Sequence, residues 1–108
     1  MKIEVFREPM LDCKLVVVRD CPLEDFIDIF WVDSEGDAQA LCDFQKWVWY
    51  IWLSCNKVSL FVHELLHYAH RQLDELNMPL NDHTEELYAC FIEYFLTEWI
   101  KCLELEHE

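Results

Sequence analysis

The chain has 108 residues, 54% of them apolar and five of them Trp, enough for a single compact domain over residues 1–108 and too apolar for a disordered chain. Its net charge of −14 argues against a direct nucleic-acid binder, which needs clustered Lys and Arg, and against attachment to an anionic membrane surface. The partners it admits are basic or apolar peptides and proteins, including a basic nucleic-acid-binding protein whose groove an acidic chain would fill.

"MKIEVFRE" carries Glu4 and Glu8 and has no apolar signal run. The six Cys lie at least eight residues apart, with no Cys-x-x-Cys unit, so free thiols in a reducing, cytoplasmic compartment are expected. "KIEVF" at Lys2–Phe6 and "KLVVV" at Lys14–Val18 predict strands. "CPLEDFIDIFW" predicts a short helix, with Asp20 as a cap, Pro22 in its first turn and Glu24 and Asp25 at its positive start. "DSEGD" at Asp33–Asp37 predicts a turn around the only Gly. "AQALCDF" and "KWVWYIWLSC" read as two further strands, and the apolar run of the second falls far short of the ~20 residues of a membrane span.

A longer helix is expected from about Asn56 to Asn77, broken at Pro79, and another from about Asp82 towards Leu103. At ~100° per residue, Val58, Val62, Leu65, Leu66, Ala69, Leu73 and Leu76 share an arc of about 80°. His63, Glu64, His67, His70 and Asp74 fall on another side as a polar stripe. The expected fold class is therefore α+β: a small, mostly antiparallel sheet against a short helix, the histidine helix and a long C-terminal helix.

"HELLH" places His63 and His67 one helical turn apart, so that two imidazoles can reach one zinc ion. Glu64, next to the first of them, is the expected general base. A catalytic zinc takes three protein ligands as a rule. In the last helix, Tyr88, Phe91, Ile92, Phe95, Leu96, Trp99 and Leu103 form the apolar side, with Glu86 at its margin beside Ala89 and Glu93. Glu86 is the expected third ligand and Glu85 its rival; either alone also suits the positive end of a helix.

"HELLH", with "EELYA" downstream, resembles the zincin metallopeptidases, in particular the gluzincin branch with His, His and Glu ligands. Small HExxH proteins encoded by phages or mobile elements are similar in layout. The resemblance covers about residues 44–100, its specific part only some ten positions. It implies that Glu86-Leu87-Tyr88-Ala89 supplies the third ligand and that the strand before the histidine helix lines a cleft. In gluzincins an Asp often follows the ligand Glu by four residues; here that position is Cys90. Tyr94, Tyr88 and His83 are the candidates for stabilising an oxyanion. His70 shares the face of His67 and is expected to support the ligands or face solvent. Leu73 occupies the position where a metzincin has its third His, which excludes that branch.

The implied function is zinc-dependent hydrolysis of peptide bonds, with Glu64 activating water. A catalytically idle zinc-containing binding protein and an acidic inhibitor protein are the rival readings. A third rests on Glu64-x-x-His67 and Glu104-x-x-His107, the repeated unit of di-iron bundles, which requires four helices.

Overall fold

In the computed structural model, which describes residues 1–30, 39–45 and 48–106, the α+β expectation holds element by element. Strands β1 (Lys2–Glu8) and β2 (Cys13–Arg19) are followed by helix α1 (Leu23–Phe30), strands β3 (Ala40–Gln45) and β4 (Val48–Leu53), and helices α2 (Val58–Glu75) and α3 (Glu85–Glu106). The turn expected at 33–37, and His107 of the di-iron pattern, lie outside the described residues. Among the described residues there are three helices, one short of a di-iron bundle.

The four strands form one mixed sheet in the order β1-β2-β4-β3. β1 pairs antiparallel with β2, Val5 opposite Val16; β3 pairs antiparallel with β4, Cys42 opposite Ile51. The two hairpins join through β2 and β4, which run parallel with Val17 opposite Ile51. The strand before the histidine helix is therefore interior, paired on both sides, and the edge belongs to β3. The strand that the resemblance sets beside a cleft is thus screened from the sheet edge by β3.

β2 is apolar without alternation because both of its faces are covered. Val16 and Val18 pack under α1 with Phe26 and Trp52. Leu15 and Val17 pack under α2 and α3 with Phe61, Leu65, Tyr68, Phe91, Phe95 and Trp99. Asp20 stands three residues before the first residue of the helix it was expected to cap, in the left-handed region at φ 57° that Asp tolerates. The first bond of α1 runs instead from the Phe26 N–H to the Pro22 carbonyl at 3.3 Å.

Two polar devices fasten the sheet. The buried Glu8 carboxylate accepts the backbone N–H groups of Met10 (2.6 Å) and Leu11 (2.8 Å), which closes the β1–β2 turn. Arg19, 1% exposed, donates to Glu4 at 2.6 and 3.2 Å, to Glu106 at 3.0 Å and to Asn56 at 3.4 Å. Lys2 reaches Glu106 at 2.9 Å, so the last turn of α3 is tied to both strands of the first hairpin. A buried guanidinium is tolerable here because two carboxylates compensate it.

Candidate functional site

α2 lies across β3 and β4. Its C-terminus is a Schellman motif: Asn77 takes φ 61°, the Met78 N–H bonds the Leu73 carbonyl at 2.8 Å, and the Asn77 N–H bonds that of Asp74 at 3.0 Å. Pro79 follows and stops the helix.

The face that α2 buries is Phe61, Glu64, Leu65, Tyr68, Ala69 and Leu73. Val58, Val62, Leu66 and Leu76, expected in the apolar seam, are exposed. The helix is turned towards its two aromatic residues. Phe61 stacks on Trp99 at 4.3 Å between centroids. Tyr68 stacks on Phe91 at 5.6 Å, meets Trp49 edge-on at 5.9 Å and donates its hydroxyl to the Lys14 carbonyl at 3.1 Å. Aromatic rings bury more area than Val, so they set the rotation.

That rotation separates Glu64 from the histidines beside it. His63 and His67 remain exposed, their rings 4.9 Å apart between centroids. Glu64 is carried inward to 8% exposure. Its Oε1 lies 4.0 Å from His63 Nε2, and its carboxylate accepts no hydrogen bond among the described residues. Burial pushes the Glu64 carboxyl above the usual carboxylate range, while His63, His67 and Arg71 pull it back. The same surroundings push the Cys42 thiol on β3 up to about 12, by burial first and then by the Glu64 charge.

The other expected site residues stand elsewhere. Glu85 and Glu86 are both exposed in the first turn of α3. The residues α3 buries, Tyr88, Phe91, Phe95 and Trp99, centre roughly 180° round the helix from Glu86, so it sits opposite the packed face and not at its margin. Its Oε1 lies 3.6 Å from the Cys90 thiol that donates to it. Among the described residues, no three His, Cys, Asp or Glu side chains gather in a way that would hold a metal, so Glu86 does not join the histidine pair.

Tyr88 donates its hydroxyl to the Met78 carbonyl at 2.8 Å, and Tyr94 donates to the Arg7 carbonyl at 2.7 Å. Tyr94 thus sits at the β1 edge, across the sheet from β3. His83 is exposed in the turn before α3, its backbone N–H on Asn81 Oδ1 at 2.8 Å. His70 is exposed on α2.

The sequence reading missed Arg71. It follows His67 by four residues and carries its guanidinium 6.0 Å over the ring of Trp49. The i, i+4 step from His67 was the available signal.

Comparisons with protein-family models, with curated proteins and with solved structures find no match. No helix among the described residues is long and apolar enough to cross a membrane.

Proposed function

We propose that this chain is a zinc-dependent hydrolase of peptide bonds, zincin-like in its histidine helix, with His63 and His67 as metal ligands and Glu64 as general base. One observation carries the reading: the half-sheltered Glu64 carboxylate lies 4.0 Å from His63, beside two exposed imidazoles whose rings stand side by side.

The donor set suits the ion. Two imidazoles at i, i+4 match zinc's preference for nitrogen ligands, and Glu64 is close to them without being one of the pair. Zinc held there would polarise a scissile carbonyl. Glu64 would take the proton of the attacking water at its free carboxylate oxygen and pass it to the departing amine. With two protein ligands gathered among the described residues, the site would hold the ion more loosely than a three-ligand centre.

The six free cysteines support a reducing compartment, and we assign the protein to the cytoplasm on that basis. The net charge of −14 favours one second reading, an acidic protein that binds a basic partner without using metal.

The test is elemental analysis of protein purified without added metal, followed by cleavage of a peptide library. His63→Ala and His67→Ala are expected to lose the zinc. Glu64→Gln is expected to keep it and to lose about 10²–10⁴-fold in turnover, the usual general-base contribution. A metal-free parent that binds basic partners undiminished would establish the second reading instead.

A further inference from the structure

Arg71, like Lys14 and Lys57, has no ion pair among the described residues, and its guanidinium lies over an aromatic ring. Acidic residues outnumber Lys and Arg by 22 to 8, so carboxylate partners are plentiful. Lys2, Arg7, Arg19 and Lys101 each hold one. Arg71 has Asp74 and Glu75 at the i+3 and i+4 positions where helical ion pairs form. It pairs with neither, and among the described residues it makes no ion pair or hydrogen bond. Its guanidinium lies instead over Trp49. Stacking holds the planar fork in place while leaving its N–H donors unused.

The position matters as much as the free valence. His63, His67 and Arg71 follow one another at intervals of four residues on the exposed side of α2, and the charge of Arg71 is felt at Glu64. From the midpoint of the histidine pair to Arg71 the helix rises about 9 Å. An extended peptide covers that distance in two to three residues at about 3.3 Å each.

We infer that Arg71 anchors a carboxylate of the substrate two to three residues from the bond that is cut. The inference rests on the hydrolase reading above and adds the class of substrate: a peptide with a carboxylate at short range from its scissile bond. Only a local cation makes such a ligand acceptable in the field of a −14 chain. A phosphate, with roughly twice the charge, meets correspondingly more repulsion and suits the site less. The carboxylate is either the end of the peptide chain or an acidic side chain, and both present the same planar pair of oxygens to the guanidinium.

The experiment follows the Arg71 Nε–H signal by nitrogen-15 NMR, assigned through its loss in Arg71→Met, during titration of the zinc-treated protein with three probes. These are N-acetyl-trialanine with a free carboxylate, its C-terminal amide, and N-acetyl-Ala-Glu-Ala amide. The free acid is expected to move the signal and the plain amide to leave it in place. A response to the Glu-containing amide that exceeds the response to the free acid assigns the carboxylate to a side chain, and the opposite order assigns it to the chain end. Arg71→Met should weaken binding about tenfold to a hundredfold, the range for a hydrogen bond to a charged group, with part of the loss restored in Arg71→Lys. An equal response to acid and plain amide, or unchanged binding by Arg71→Met, overturns the inference and leaves Arg71 as a stacking partner of Trp49.

Mass spectrometry of cleaved hexapeptides separates the two claims. A parent that binds the free acid through Arg71 but cuts nothing overturns the hydrolase reading alone. A parent that cuts interior bonds regardless of the terminal group, with Arg71→Met unimpaired, overturns the anchor alone.

Discussion

The rotation of α2 decides where Glu64 sits, and two adjacent substitutions measure it. Phe61 is 0% exposed and stacked on Trp99, whereas Val62, one position on, is 36% exposed. Removing a fully buried Phe side chain costs about 3–5 kcal/mol, because the cavity it leaves closes only in part. Loss of the Trp99 stack, worth about 0.5–1.5 kcal/mol beyond burial, moves Phe61→Ala towards the upper end of that range. Val62→Ala removes atoms that already touch water and should stay within about 0.5 kcal/mol. In a domain of this size about 1 kcal/mol shifts the melting temperature by roughly 4–8 °C, so Phe61→Ala should melt at least ~12 °C below the parent and Val62→Ala within ~4 °C of it. Urea titration with a common slope for the three proteins would show that folded-state stability, and not the unfolded ensemble, has changed. Equal costs, or a larger cost at Val62, would mean that the helix packs on its aliphatic seam. Glu64 would then lie exposed with the histidines on the polar stripe.

Glu86→Ala and Glu85→Ala should both retain the parent's zinc content in elemental analysis, because neither carboxylate is gathered with His63 and His67; loss of zinc from Glu86→Ala alone would bring α3 into the site. Arg19 and Lys2 hold the Glu106 carboxyl down to about 2, from an ordinary value of 4.5. A depressed carboxylate stabilises the fold above its unfolded pKa, so this contribution should be complete above about 4.5 and fade as pH falls towards about 2, and Glu106→Gln should flatten that limb of the acid-denaturation curve. Six thiols should titrate in denatured, unreduced protein, and in the native state the exposed Cys55 and Cys90 should react ahead of Cys13 and Cys42, whose pKa values burial raises to about 11 and about 12.

Every described element was legible in the sequence, because local signals define elements: Pro79 and Asn77 end α2, and "KLVVV" can be little other than a strand. What was not legible depends on partners distant along the chain. The parallel pairing of β2 with β4 joins residues that are more than thirty apart, and nothing in "WVWYIWL" says which strand lies on either side of it. The rotation of α2 was misjudged because an aliphatic arc is easy to count, whereas the pull of Phe61 and Tyr68 appears only once Trp99, Phe91 and Trp49 stand opposite them. The spacing of His63 and His67 is a property of one helix and carried over intact. Glu86 required the relative placement of two helices, which spacing within either one does not specify.

The clasp around Arg19 also gives the molecule a timetable. Its partner Glu106 lies 87 residues further along the chain. At a synthesis rate of about 5–20 residues per second, Arg19, whose partner Glu4 precedes it, emerges roughly 4–17 seconds before its second carboxylate. Throughout that interval the first hairpin is complete in sequence but lacks α3, the element that covers Phe6 and ties down its end. Until α3 is made, the nascent first hairpin therefore presents an uncovered apolar sheet face and an Arg19 compensated by Glu4 alone.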